Sequence, residues 1–220
     1  MKKIYLLVLS LLMAILVTAC NNTENIAVET TEETVTSQTE KSITETKEPV
    51  DGTEIELDGI NGTAVIPSGF YILREDYPLT EKMCSDIGVE LDNVQKAISM
   101  LQGQTLIVPD NEPYSSSLHY YIKVKEKKYD DITLSNLSDY ECSIFASSVV
   151  KSFGTNDYEI VERNGLRFFV FNADQGMGNV CRYATVIDGH MIYVYSNTAS
   201  DGVTEEQKAV LEKIAFSIQY

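Results

Sequence analysis

The chain has 220 residues, 33 acidic and 17 basic, for a net charge of −16. Hydrophobic residues make up 44% of it, enough to build a core of ordinary domain size. The acidity excludes nucleic acid as a partner, because phosphate backbones are held by clustered Lys and Arg; the only basic cluster, Lys123, Lys125, Lys127 and Lys128, reads as a solvated strand edge.

Lys2 and Lys3 precede an apolar run of 14 residues from Ile4 to Val17. A spanning helix needs about 20 such residues, so the run reads as a secretory signal. It ends in Val17-Thr18-Ala19-Cys20, which resembles the lipobox of bacterial lipoproteins, with Val where Leu is usual. The resemblance implies that residues 1–19 are removed and that Cys20, acylated on its thiol, begins the exported chain. It also implies anchorage by lipid on the outer face of the cell membrane. Two or three acyl chains hold a protein stably where one does not, at about 0.8 kcal/mol per buried CH₂. The alternative is an ordinary signal cut near Ala19, which would release a soluble secreted protein.

From Asn21 to Asp58 the chain turns to Thr, Glu, Ser and Val with no aromatic residue, and eleven acidic side chains face only Lys41 and Lys47. A segment this poor in apolar surface does not offset its own ordering entropy. Residues 20–58 are therefore predicted to be a lipidated cysteine followed by a disordered acidic tether. A flexible chain of that length averages roughly 35 Å end to end.

Residues 59–220 are predicted to form one α+β domain. "GTAVIP" and "FYILRE" read as strands parted by the turn residues Pro67-Ser68-Gly69. Residues 80–87 and 90–101 show helical patterns broken at Gly88. "QTLIVPD" and "LHYYIKVKE" are the next strands, and in the second Lys123 and Lys125 alternate with Ile122 and Val124, which predicts one wet face. Ser138 and Glu141 make a capping box, after which Cys142, Phe145, Ala146, Val149 and Phe153 recur at helical spacing up to Gly154. "YEIVER" meets "LRFFVFN" at Asn164-Gly165, and "VCRYATVI" meets "HMIYVYS" at Asp188-Gly189, both strong hairpin signals. Thr204 and Gln207 form a second capping box before Val210, Leu211 and Ile214. Met191, Tyr193 and Tyr195 face one way and Ile192 and Val194 the other, so the sheet needs cover above and below. The expected architecture is a central antiparallel β-sheet flanked by helices on both faces.

This order of elements, opened by "AVIPSGFYI" and closed by "EKIAFSIQY", resembles the PsbP/Mog-one-like α/β/α sandwich, in a version common among small lipoproteins of Gram-positive gut bacteria. The resemblance implies a binding scaffold. The known jobs of that family, in photosystem II and with the Ran GTPase, have no matching residues here, and a fold does not fix a function.

Chemistry-bearing residues are sparse. His119 and His190 sit inside strands with no Asp, Cys or Ser spaced to suggest a triad, so a general base is not indicated. Cys84, Cys142 and Cys181 lie far apart without a C-x-x-C, which disfavours zinc. In an exported protein Cys84 and Cys142 could pair, though an odd number of cysteines in the domain suits small buried hydrophobes better. The loop "ADQGMGN" lacks the Lys and the following helix of a phosphate loop; it reads first as a solvent loop, with Gln175 and Met177 available to touch a partner. Glu75-Asp76 and Asp130-Asp131 would hold calcium only if the fold brought carbonyls to them. Tyr114, Tyr120, Tyr121 and Tyr195 would suit glycan stacking if they lined one groove. No cofactor and no metal is implied. The expected function is a lipid-anchored, non-catalytic binding or adaptor module for an envelope or surface partner. The second reading is a lipoprotein that captures a small molecule or glycan in a tyrosine-lined pocket. An enzyme would need Asp or Glu beside His119 or His190.

Overall fold

Strands form where β-branched and aromatic residues run between turn signals. The computed structural model describes residues 51–220 apart from 102, 116–117, 175–178 and 198–202, all within Glu40–Tyr220, the second of two units into which the chain divides. The elements are β1 (Gly52–Glu56), β2 (Thr63–Pro67), β3 (Phe70–Leu73), α1 (Glu81–Asp86), α2 (Leu91–Ser99), β4 (Gln104–Pro109), β5 (His119–Val124), a 3₁₀ turn (Leu134–Asn136), α3 (Asp139–Lys151), β6 (Glu159–Arg163), β7 (Leu166–Asp174), β8 (Asn179–Ile187), β9 (His190–Asn197) and α4 (Glu205–Phe216). Seven strands make an antiparallel sheet in the order β3-β4-β5-β9-β8-β7-β6, and β1 and β2 pair separately. The fold class is mixed α+β.

Local chemistry accounts for the boundaries. Asn164 and Gly165 have φ of 53° and 78°, and Asp188 and Gly189 have 48° and 79°, the left-handed pair that a type I′ hairpin turn requires. The Ser138 hydroxyl accepts from the Glu141 N–H while the Glu141 carboxylate accepts from the Ser138 N–H, and Thr204 and Gln207 repeat the device at α4. Thr80 caps α1 by accepting from the Met83 N–H.

Alternate residues of the strands enter two separate clusters. One gathers Leu106, Tyr121, Phe169, Ala184, Met191 and Tyr193 with residues of α1, α2 and α3. The other gathers Ile107, Ile122, Phe168, Tyr183, Ile192 and Val194 with residues of β1, β2 and α4. Burying a Leu, Ile or Phe side chain is worth about 1.5–3 kcal/mol, so the two clusters dominate stability.

Two expectations are corrected. The tether was expected to run to residue 58, but Gly52–Glu56 is a strand, and Ile55 and Leu57 are each only 3% exposed. Thr53, Ile55 and Leu57 alternate with Glu54, Glu56 and Asp58, a period-two pattern that the high acidity of the segment masks. The second correction concerns β5, which was expected to keep one wet face. Tyr120 and Tyr121 are 4% and 7% exposed, on opposite sides of the strand. β5 lies between β4 and β9, and on the side of Tyr121 the rings of β9 provide cover. Among the described residues no helix is long and apolar enough to cross a membrane.

Candidate functional site

A strand buried on both sides should carry apolar residues at every position. β8 breaks that rule with a buried charge once; its buried Thr185 is satisfied by donating to the Arg167 carbonyl. Val180, Ala184 and Val186 enter the first cluster, and Arg182 occupies the position between Val180 and Ala184. It stands opposite Phe171 on β7 and Tyr195 on β9, with 5% of its surface exposed. Its guanidinium carbon lies 4.7 Å from the Tyr195 ring centre, 4.8 Å from that of Phe153 and 5.9 Å from that of Tyr193. Such cation–π contacts are worth about 0.5–2 kcal/mol each, less than the several kcal/mol that removing an ion from water costs. Burial accordingly pulls the guanidinium below its ordinary pKa, against the opposing effect of Tyr195, Tyr193 and Cys181.

Among the described residues no carboxylate compensates: Arg182 enters no ion pair, and its Nε, fully buried, has no hydrogen-bond partner. The same fold pairs other arginines well. Arg74 donates from Nε and Nη2 to the two carboxylate oxygens of Asp76, each at 2.5 Å, and from Nη1 to the Glu56 carbonyl at 2.6 Å. Arg167 reaches Asp139 at 2.9 Å and Glu162 at 3.2 Å.

The surroundings of Arg182 are built rather than loose. Tyr195 stacks on Tyr121 with ring centres 4.9 Å apart, and its hydroxyl donates to Gln104 Oε1 at 2.7 Å. Gln104 Nε2 in turn donates to the Leu101 carbonyl at 2.9 Å. That chain fixes the Tyr195 ring against the guanidinium. In the next row of the sheet Lys123 stands opposite Tyr193 and is half-buried. Burial first, then Lys125 and Arg182, pushes its ammonium down to about 8. Lys123 is therefore mostly charged at neutral pH, and one sheet face carries two cations, Lys123 and Arg182, among Tyr121, Tyr193 and Tyr195.

The residues singled out from sequence are not brought together. His119 Nε2 lies 3.0 Å from the Tyr114 carbonyl, and His190 Nδ1 lies 3.0 Å from the Lys125 carbonyl. Both imidazoles are tied to backbone. Cys84, Cys142 and Cys181 are buried free thiols, each raised in pKa chiefly by burial; Cys84 and Cys142 do not form the conceivable disulfide. Tyr121 and Tyr195 share the arginine's face, whereas Tyr120 enters the opposite cluster and Tyr114 packs on His119 at 4.1 Å; the four do not line one groove. Asp76 is taken by Arg74 and Asp131 by Lys127. Among the described residues no three metal-ligating side chains converge. Cys20, Gln175 and Met177 lie outside the described residues.

Two open hollows lie elsewhere. One of about 490 Å³ is formed by the 56–63 turn with Gln219 and Tyr220, and one of about 410 Å³ holds Arg74 with Asp58, Glu75 and Asp76. Sequence reading passed over Arg182, although a signal was present. In "VCRYATVI" the period-two set Val180, Arg182, Ala184, Val186 puts a charge on a face that otherwise reads as core. No protein-family model matches the chain, and no curated protein matches it in sequence.

Proposed function

We propose that this chain is a lipid-anchored, non-catalytic binding module held by acylated Cys20 on the outer face of a bacterial cell membrane, with a folded head that captures a ligand. The observation that carries the reading is Arg182, a buried cation in a fixed aromatic box with no carboxylate partner among the described residues. Unpaired buried charge is costly, and groups of that kind concentrate where a protein binds something. The tying of His119 and His190 to backbone carbonyls favours binding over catalysis. We further propose that the head is a PsbP/Mog-one-like sandwich with helices on both sheet faces; the division of helical residues between the two core clusters supports that layering.

A second reading, an adaptor for an envelope protein, is favoured by Tyr140 and Ile144, one turn apart on α3 and 70% and 50% exposed. Thermal melting of the full chain in panels of neutral saccharides, organic acids and amines separates the two. A ligand at ~100 times its Kd stabilises by about 2.7 kcal/mol, roughly 5–10 °C for a domain of this size. No shift in any panel, with one stoichiometric protein crosslinked to the chain on intact cells, would replace ligand capture by the adaptor reading. The anchor is tested by intact mass of the exported chain, which should begin at an acylated Cys20.

A further inference from the structure

We infer that the Arg182 site binds the carboxylate of a small organic acid, with Lys123 supplying a second positive charge; this names the ligand class of the site and rests on its being a binding site. The argument begins with geometry. A guanidinium has two flat faces and an edge of N–H donors. Tyr195 and Phe153 lie within 4.7 and 4.8 Å of the Arg182 guanidinium carbon and take up space over the flat group. What an incoming partner can use is then the edge, where the Nε–H has no acceptor. An edge-on arginine matches a planar carboxylate, which accepts two parallel N–H···O bonds.

Charge points the same way. The chain carries 33 acidic side chains against 17 basic, yet Arg182 and Lys123 stand on one face with no ion pair among the described residues. Lys123 and Arg182 flank β9 on the same face, opposite Tyr193 and Tyr195, and the Lys123 ammonium feels the positive charge of Arg182, which an anion at the site would offset. The remaining lining is tyrosine. Tyr121, Tyr193 and Tyr195 are 7%, 7% and 6% exposed, so the site is shielded from bulk water. A shielded box with aromatic walls suits the hydrocarbon part of an organic acid and disfavours a fully hydrated inorganic anion.

The test uses the full chain in nonionic detergent, ¹⁵N-labelled at arginine. The Arg182 Nε–H signal is assigned by its loss in Arg182→Met, and acetate, succinate, inorganic phosphate and a neutral oligosaccharide are titrated separately. The expected result is a saturable downfield shift of that signal with the carboxylates, succinate binding more tightly than acetate. Affinity should fall at least ~10-fold in Arg182→Met, since a hydrogen bond to a charged group is worth that much, and less in Lys123→Met. Tighter binding of phosphate than of succinate would overturn the carboxylate assignment and leave an anion site. Saturable binding of the oligosaccharide alone would overturn the inference and keep the binding module. Binding of none of the four would overturn both. Arg182→Lys, which keeps the charge but not the planar fork, should restore less than half of the lost binding energy; full restoration would refute the edge-on geometry.

Discussion

Replacing Arg182 with Met should make the protein more stable. The guanidinium is 5% exposed and has no ion-pair partner among the described residues. Its desolvation costs several kcal/mol. Against that stand three ring contacts at 4.7, 4.8 and 5.9 Å, of which the two closer ones contribute about 1 kcal/mol each and the third less. Met keeps the unbranched apolar stem and adapts to irregular space, so only a small cavity cost is added. The net expectation is a gain of about 1–3 kcal/mol, by analogy with buried charges replaced by apolar residues. For a domain of this size that raises Tm by roughly 4–8 °C at the middle of the range. Urea unfolding followed by circular dichroism measures it, with an unchanged m-value required. Arg167→Met is the control of opposite sign, since Arg167 donates to the Leu137 carbonyl and pairs with Asp139 and Glu162. A loss of more than 1 kcal/mol in Arg182→Met would refute the reasoning, because it would show that the aromatic box more than repays desolvation and that the cation is structural.

Three further outcomes follow from the geometry. Gly189→Ala should lose at least about 2–3 kcal/mol in chemical denaturation, because φ is +79° and the new Cβ would sit 1.9 Å from the Asp130 carbonyl oxygen; Gly154→Ala, at φ +78° with open space around it, should lose only about 1–2 kcal/mol. Ser138→Ala removes the acceptor of the Glu141 N–H at the start of α3 and should lower Tm by about 2–4 °C, the equivalent of roughly 1 kcal/mol. Lys123 titrates at about 8 when folded, below its ordinary 10.5, through burial and the neighbouring charges of Lys125 and Arg182, so the unfolded chain binds the extra proton and Lys123 contributes a rise in stability from about pH 8 to 9.5. The buried thiols Cys84, Cys142 and Cys181, raised by burial, contribute a fall over the same range, so the quantity to follow is the stability of the natural chain relative to Lys123→Met, which should rise. The measurement stays below pH 10, where tyrosines of the unfolded chain ionise while Tyr114, Tyr120 and Tyr195 hold out to about 12 and stability falls again.

Elements whose formation is decided locally were legible in the sequence. Capping boxes and Asn-Gly or Asp-Gly turns act over four residues, and both boxes and both turns are present where they were read. Pairings decided over long distances were not. β1 pairs with β2 through Ile55 opposite Ala64, and only burial under α4 distinguishes that strand from the acidic segment before it. The wet face expected of β5 failed for the same reason: its neighbours β4 and β9 are 15 and 74 residues away in register, with Leu106 and Tyr195 both opposite Tyr121. The candidate site was the least legible part. Its aromatic walls come from β9 and from Phe153 just past the end of α3, its second cation from β5, and no short motif joins them. Only the misplaced charge in β8 was local.

The acidic excess of the chain gives the unpaired arginine its weight. A domain short of carboxylates could leave a cation unpaired by default. In residues 59–220 acidic side chains outnumber basic ones by 22 to 13, and Arg74 shows the fold placing a carboxylate in the plane of a guanidinium only two residues along the chain. At Arg182 the two residues nearest in register are Phe171 and Tyr195, where an Asp or Glu on either strand would have closed the pair. Tyr195 spends its hydroxyl on Gln104, so its polar end is turned to the sheet's own network and its ring to the cation. Among the described residues the arrangement therefore leaves the Arg182 Nε–H without an acceptor while holding the Tyr195 ring against the cation. A buried cation whose Nε–H lacks an acceptor is attractive to an anion, and a stabilising substitution that abolishes binding would be the signature of that compromise.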